Sequence, residues 1–131
     1  MKRVLVDMSC TLLHHGHIRL LAKASELGTV IVALTTDDEI LRKKGYTPEL
    51  NYEQRREILL AIKYVSDVIP SKWLIDDTYI VQNNIDMLIH GDDNSNQLTK
   101  CEVIVYNRTD GVSSSELRER SSIILKKFEA I

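Results

Sequence analysis

Short runs of branched apolar residues alternate with helical patterns along this chain, and this alternation constrains its fold more than any other feature. A strand that is buried on both faces is apolar throughout, so the runs are predicted to be strands of a covered sheet. Repeated strand–helix–strand units favour a parallel sheet with helices on both faces. The predicted strands are Val4–Val6, Val30–Thr35, Asp67–Ile69, Met87–His90 and Val103–Tyr106.

The helical patterns fit between these strands. Ile18–Leu27 has a wide apolar face, and Gly28 is expected to stop this helix. Asn51 and Gln54 form a capping-box pattern before a second helix that faces the core. We therefore predict an α/β fold, one Rossmann-like doubly wound domain over residues 1–131, with about five parallel strands. Ligands of such folds bind beyond the carboxyl ends of the strands.

Composition excludes several partners. The formal net charge of −2 gives no electrostatic reason to expect nucleic acid or an anionic membrane surface as a partner. No apolar run has the length of a membrane-spanning helix, and no signal peptide is expected. Two cysteines are too few for a disulfide framework, so a cytoplasmic location is expected.

The first motif, His14-His15-Gly16-His17, lies where the first strand gives way to the first helix. A helix N-terminus has unsatisfied N–H groups and partial positive charge, so it binds anions such as polyphosphate. Metal ligation is a weaker interpretation, because Cys10 and Asp7 nearby complete no known ligand pattern. A purely structural or surface role for the histidines remains open at this point.

A second motif lies near the other end of the sequence. The residues from Arg108 to Ser115 follow a predicted strand and precede the helical stretch Glu116–Phe128. One interpretation is structural, with a turn at Gly111 and a capping box formed by Ser113 and Glu116. The other is a phosphate site, because hydroxyls and backbone donors at a helix N-terminus would be joined by a guanidinium.

Together the two motifs resemble the cytidylyltransferases of the nucleotidyltransferase superfamily, and most of all the glycerol-3-phosphate cytidylyltransferases. These enzymes have His-x-Gly-His after the first strand and Arg-Thr-x-Gly-Ile/Val-Ser-Ser/Thr before the last helix. Met8-Ser9 is also similar to cytidylyltransferase-like domains of phosphonate metabolism. Other matching landmarks are Thr35-Thr36-Asp37, Tyr52-Glu53-Gln54-Arg55, Tyr64–Pro70 and His90-Gly91-Asp92-Asp93.

The resemblance implies transfer of CMP from CTP to a phosphorylated alcohol, with glycerol 3-phosphate as the first choice. Pyrophosphate would leave after in-line attack on the α-phosphorus, with Mg²⁺ bound mainly through the nucleotide phosphates. The resemblance also implies a homodimer.

The implied catalytic residues are His14, His17, Lys43 and Arg108. The implied nucleotide-binding residues are Ser9, Cys10, His14, Gly16, His17, Asp92, Arg108, Thr109, Gly111, Val112, Ser113 and Ser114. The implied acceptor-binding residues are Arg42, Lys44 and Arg55.

Several of these residues also have a plain structural interpretation. The basic run 42–44 is followed by Gly45 and Pro48, which predicts a loop, and it could be a solvated turn. Arg55 could serve packing or phosphate binding. Trp73 could close over the acceptor or anchor the core.

The aspartate pair 92–93 could form an Asx turn or cap a helix, or it could contact ribose, base or a magnesium ion's outer sphere. Thr11 stands where the resembled family has an acidic residue. This departure leaves a catalytically silent nucleotide-binding module as one alternative. Segment 72–78 lacks the lysine-rich character of the resembled enzymes, so a phosphonate or another alcohol phosphate is an alternative acceptor. The His-x-Gly-His motif serves several nucleotides, so an adenylyltransferase that uses ATP is a third alternative.

Overall fold

The computed structural model describes residues 1–91, 98–107, 109 and 111–129. Strands and helices alternate along the chain, as the sequence predicts. The elements are β1 (Arg3–Met8), α1 (His15–Ser25), β2 (Thr29–Thr35), α2 (Asp37–Lys44), α3 (Tyr52–Leu60), β3 (Asp67–Ser71), α4 (Asp77–Gln82), β4 (Met87–Gly91), β5 (Glu102–Tyr106) and α5 (Ser114–Glu129).

The strands of the described residues form one parallel sheet in the order β3-β2-β1-β4-β5. The chain runs outward from β1 to β3 and then returns to place β4 on the other side of β1. The order therefore reverses between β1 and β4, where open α/β sheets bind their ligands. This arrangement confirms the predicted Rossmann-like α/β fold with a parallel sheet of five strands.

Successive residues of each strand point to opposite faces, so the sheet has two apolar layers. Helices α1 and α3 cover one face through Leu21, Ala24 and Leu59, and α4 covers the other through Ile80. Strand residues buried on the first face include Val4, Val6, Val30, Val32, Leu34, Val68, Met87 and Ile89. Those on the second face include Leu5, Ile31, Ala33 and Leu88.

Polar side chains cap the N-termini of α2, α3 and α4. Asn51 and Gln54 form both halves of the predicted capping box at α3. Thr36 caps α2, and Asp76 caps α4. Each cap satisfies an N–H group that would otherwise have no partner in the helix. No helix in the described part of the chain is long and apolar enough to cross a membrane.

The basic run 42–44 is helical, so the predicted loop there is wrong. It forms the last turn of α2, whose first turn contains three acidic residues. This distribution of charge complements the helix dipole at both ends. Gly45 ends the helix in the left-handed conformation, with φ of 81°, which glycine adopts without a Cβ penalty.

Gly28 does not act as the predicted helix stop. Helix α1 ends at Ser25, with Glu26 in the right-handed conformation as its cap. A Cβ on Gly28 would lie 2.3 Å from the carbonyl oxygen of Lys2, and Thr29 N–H donates to that same oxygen at 2.8 Å. Glycine is therefore required here because two backbone segments approach closely.

Candidate active site

A cavity of about 420 Å³ lies at the carboxyl ends of the strands. Its walls come from the β1–α1 turn, the start of α1, the end of β4 and the segment before α5. The two sequence motifs, almost a hundred residues apart, therefore face one space. The predicted site residues that line it are Ser9, Cys10, His14, Gly16, His17, Lys44, Thr109, Val112, Ser113 and Ser114.

His14 and His17 begin helix α1 as a reciprocal cap. The Nδ1 atom of His14 accepts the N–H of Gly16 at 3.1 Å, and the Nδ1 atom of His17 accepts the N–H of His14 at 3.1 Å. Because each Nδ1 accepts, the neutral rings carry their protons on Nε2. The rings lie with their centroids 3.9 Å apart. The cavity is thus lined by two imidazoles whose Nε2 atoms are donors.

Gly16 makes this cap possible. A Cβ at this position would lie 2.8 Å from Cε1 and 2.9 Å from Nδ1 of His14. The absence of a side chain lets the His14 ring lie against the first turn of the helix. Gly16 therefore leaves room for the His14 ring in the cap, and it also leaves the backbone accessible.

Cys10 lies in the turn between β1 and α1 with φ of 35°, an uncommon conformation for a residue other than glycine. Its side chain is 4% exposed. Burial raises the pKa of the Cys10 thiol to about 12, although the nearby charge of Arg55 opposes this shift. Cys10 is therefore a neutral thiol at physiological pH and shapes the cavity wall by packing.

Ser114 joins the two motifs directly. Its hydroxyl donates to the carbonyl oxygen of Leu12 at 2.8 Å and accepts the N–H of Leu12 at 3.2 Å. Ser113 accepts the N–H of Glu116 at 3.0 Å and so caps α5. The Ser114 hydroxyl thus holds the start of α5 against the turn that precedes α1, while the Ser113 hydroxyl caps α5 itself.

Cationic side chains dominate the charge around the cavity. Among the described lining residues, Arg19, Lys23 and Lys44 carry permanent positive charges, while Asp7 is the one carboxylate. Lys23 lies 4.8 Å from the centroid of the Tyr106 ring, which also lines the cavity. A cavity with this excess of positive charge favours an anionic ligand.

Asp7 and His90 form a paired site that the motifs did not predict. They lie at the ends of β1 and β4, adjacent in the sheet, and the Asp7 carboxylate contacts His90 Nδ1. Both line the cavity. The pairing orients the imidazole. The signal in the sequence was a carboxylate at the end of an apolar run, but its partner lies 83 residues away.

Trp73 lines the cavity on the side of β3. Glu39 of α2 accepts the N–H of Trp73 at 2.9 Å, and Lys44 lies 5.4 Å from the centroid of the indole ring. The hydrogen bond from Trp73 is the largest cause of a lowered pKa at Glu39. The last turn of α2 and the loop of Trp73 therefore form one wall.

Four of the predicted site residues that the structure describes do not line the cavity. Arg42 is exposed and pairs with Glu39, and Lys43 is exposed on α2. Neighbouring residues of a helix differ by about 100° in direction, so Lys44 alone of the basic run reaches the cavity wall. Gly111 forms a turn with φ of 77°. The fourth residue, Arg55, is buried in the interior.

Arg55 is 1% exposed and is held by four hydrogen bonds. Its guanidinium donates to the carbonyl oxygens of Ser9, Thr35 and Leu50 at 2.7, 2.9 and 3.1 Å, and to Asp37 at 2.7 Å. A buried arginine engaged in this way stabilises the ends of β1 and β2. These contacts favour a role in packing for Arg55 over the predicted role in acceptor binding.

Asp92, Asp93 and Arg108 lie outside the described residues. Their predicted roles in catalysis and nucleotide binding stay predictions. Across the rest of the chain, no group of three or more His, Cys, Asp or Glu side chains is arranged to hold a metal ion.

Comparison with known proteins connects this site to a family. A family model described as cytidylyltransferase-like matches residues 11–120. The glycerol-3-phosphate cytidylyltransferase of Bacillus subtilis (strain 168) is 37% identical over 124 residues, covering 91% of this chain and 96% of that protein. The enzyme of the same name from Staphylococcus aureus (strain NCTC 8325 / PS 47) is 39% identical over 127 residues, covering 91% and 94%.

A solved structure supports the fold alone. The lipopolysaccharide core biosynthesis protein from Thermoplasma volcanium GSS1 aligns with a TM-score of 0.72 at 20% identity. The alignment covers 84% of this chain and 99% of that one. The match of the family model over most of the chain, and the two full-length relatives above 30% identity, establish that this chain belongs to the cytidylyltransferase-like family.

Proposed function

We propose that this protein transfers CMP from CTP to glycerol 3-phosphate, which forms CDP-glycerol and pyrophosphate. One observation carries the proposal: a cavity lined by two histidine donors and three cations lies at the strand ends of a cytidylyltransferase-like chain. Two relatives with nearly full coverage are named glycerol-3-phosphate cytidylyltransferases, which supports this acceptor.

The reaction is an in-line displacement. A phosphate oxygen of the acceptor attacks the α-phosphorus of CTP, and the bond from that phosphorus to the bridging oxygen of the β-phosphate breaks. The acceptor phosphate is already ionised near neutral pH, so the attack requires no general base. The protein must align the groups and stabilise the charge that develops on the phosphoryl oxygens.

His14 and His17 carry out the charge stabilisation in this proposal. Their Nε2–H groups are held by the reciprocal cap at the start of α1, so they are oriented before the substrate binds. The N-terminus of α1 adds the partial charge of the helix dipole. Lys44, at the end of α2, serves the acceptor phosphate, because it lines the cavity and Lys43 does not.

We also propose that the reaction uses Mg²⁺, which binds mainly through the phosphates of the nucleotide. The one described carboxylate of the cavity, Asp7, is paired with His90, and no metal-binding cluster occurs among the described residues. These residues fit an ion held mainly by phosphate oxygens and water, which is usual for Mg²⁺. When bound, Mg²⁺ supplies positive charge to the leaving pyrophosphate.

Pyrophosphate release tests the proposal. The purified protein is incubated with CTP and Mg²⁺, and with one acceptor at a time from glycerol 3-phosphate, phosphocholine, phosphoethanolamine, 2-aminoethylphosphonate and ribitol 5-phosphate. We expect release with glycerol 3-phosphate, a CDP-glycerol product in mass spectrometry, and loss of release on addition of EDTA. ATP in place of CTP should give no product.

Other outcomes would contradict the proposal in distinct ways. Preference for another acceptor would reassign the substrate, and turnover of ATP would reassign the nucleotide. CTP binding in calorimetry without pyrophosphate release for any acceptor would favour the silent module.

The proposal also includes a homodimer and a cytoplasmic location. The free state of Cys10 and Cys101 supports the cytoplasmic location.

A further inference from the structure

A charged cluster outside the motifs connects three segments around the cavity. Arg118 of α5 contacts Glu49 and Tyr46, which lie between α2 and α3, and Thr11, which lies in the turn before α1. Thr11 is 2% exposed and lines the cavity, as does Tyr46. Arg118 itself is not among the lining residues.

The contacts of Arg118 use several donors at once. Its Nε atom lies 2.8 and 3.1 Å from the two carboxylate oxygens of Glu49, and Nη2 lies 2.9 Å from one of them. The same Nη2 donates to the hydroxyl oxygen of Thr11 at 3.2 Å. The guanidinium carbon lies 4.5 Å from the centroid of the Tyr46 ring. A planar guanidinium supports this set of contacts, whereas a lysine ammonium has no such fork.

The segment from 45 to 51 is anchored at both ends by arginines. Arg55 donates to the carbonyl oxygen of Leu50 from the interior, and Arg118 holds Glu49 and Tyr46 from α5. Lys44, which immediately precedes the segment, lines the cavity. The contacts of Arg118 therefore connect this wall of the cavity to Thr11 in the turn before α1.

We propose that Arg118, together with Glu49, is a positioning residue that holds segment 45–51 against the cavity and thereby sets the affinity for the acceptor. Thr11 completes the connection by accepting from the same guanidinium. This chain has no carboxylate at position 11. The carboxylate that pairs with Arg118 beside this position is instead that of Glu49. The kinetic consequence rests on the proposed function, whereas the structural consequence does not.

The first experiment measures hydrogen exchange in Arg118→Ala and in the unmodified protein. We expect exchange in peptides covering 45–51 and the turn at 10–13 to become at least about fivefold faster, with sheet amides unchanged. An ion pair this exposed contributes little to global stability, so the variant should remain folded. Lys127→Ala, on the exposed end of the same helix, is the matched control and should leave exchange unchanged.

The second experiment measures kinetics with glycerol 3-phosphate. Arg118→Ala should raise KM for the acceptor about tenfold and leave kcat and KM for CTP within about threefold. Arg118→Lys keeps the charge but not the planar fork, so it should resemble Arg118→Ala. Glu49→Ala should have a similar effect, and the double variant should be no worse than either single one, because both changes break one connection.

Unchanged exchange in segment 45–51 would overturn the proposal, and so would additive effects of the Glu49 and Arg118 substitutions. Full rescue by Arg118→Lys would also overturn it, because charge alone would then account for the role. If the unmodified protein transferred CMP to none of the acceptors, the proposed function would fail, while faster exchange in Arg118→Ala would still support the positioning role.

Discussion

At the scale of single residues, the two histidines of the first motif have two tasks on different ring atoms. Nδ1 of each ring forms part of the helix cap, and Nε2 is the donor. This division means that a substitution can separate folding from chemistry. The Oδ1 atom of asparagine occupies nearly the position of a histidine Nδ1, but asparagine has no counterpart of Nε2.

We therefore expect His17→Asn to preserve the cap and to lower kcat by on the order of a hundredfold, as happens when one donor to a transition state is lost. Steady-state pyrophosphate release and thermal melting check the two parts. His15→Ala is the control, because His15 is exposed in the same motif and does not line the cavity. A variant with unchanged kcat would exclude a catalytic role for His17.

Cys10 gives the stability of the protein an alkaline limit. Its pKa is about 12 in the folded protein against an ordinary value of 9.0, so the folded state retains the proton that the unfolded chain releases. Titration of Cys10 therefore leaves the free energy of unfolding unchanged below about pH 9. It lowers that free energy as the pH rises from about 9 toward about 12.

Urea unfolding between pH 8 and 11 should show this loss. The free energy of unfolding should fall more steeply in the natural protein than in Cys10→Ser, whose hydroxyl does not titrate in this range. Burial also raises the pKa values of Tyr52 and Tyr79, so the comparison with Cys10→Ser isolates the thiol. Equal slopes for the two proteins would show that Cys10 does not titrate with folding.

Single residues also mark the limit of sequence reasoning. The motif residues could be placed at the cavity because strand ends and helix starts are local signals. The burial of Arg55 could not be predicted, since its acceptors come from Ser9, Thr35 and Leu50. The pairing of Asp7 with His90 likewise depends on the adjacency of β1 and β4, which no local pattern encodes.

At the scale of elements, the predictions were wrong at two glycines. Glycine can end a helix, mark a loop or permit close contact between backbone segments, and the sequence does not distinguish these uses. The sequence predicts a loop at Gly45, but this residue is the left-handed end of a helix. The acidic start and basic end of α2 were the sequence signal for that helix. The sequence predicts a helix stop at Gly28, but this residue permits close contact between two backbone segments.

The two glycines should therefore respond differently to alanine. Gly28→Ala forces a Cβ against the carbonyl oxygen of Lys2 and should destabilise the protein by about 1–3 kcal/mol, as overpacking does. Gly45→Ala meets open space, so its cost should be limited to about 1 kcal/mol of backbone strain. Urea unfolding measures both changes, and the single domain that the sequence predicts should give a single transition. A smaller effect at Gly28 than at Gly45 would contradict this account.

At the scale of the whole molecule, α5 presents an apolar surface that the rest of the described chain does not cover. None of its residues is buried. Ile123, Ile124, Leu125 and Phe128 are between 50% and 69% exposed. Apolar side chains clustered in this way commonly mark a protein–protein interface, and most homo-oligomers are twofold symmetric.

If the predicted homodimer uses this surface, Phe128→Glu should raise the dimer dissociation constant at least about tenfold. Sedimentation velocity over a range of concentrations measures the change. Lys126→Ala, on the same helix, should leave association unchanged. A natural protein that stays monomeric at high concentration, or a Phe128→Glu variant that dimerises equally well, would contradict the prediction.

The strand order has a consequence for synthesis of the protein on the ribosome. Strand β1 pairs with β2 on one side, but its other side pairs with β4, which begins at Met87. Until β4 has left the ribosome, one edge of β1 has unpaired N–H and C=O groups beside an incomplete core. A nascent chain that has not yet exposed β4 therefore carries an aggregation-prone edge, and the pairing of β4 with β1 removes it.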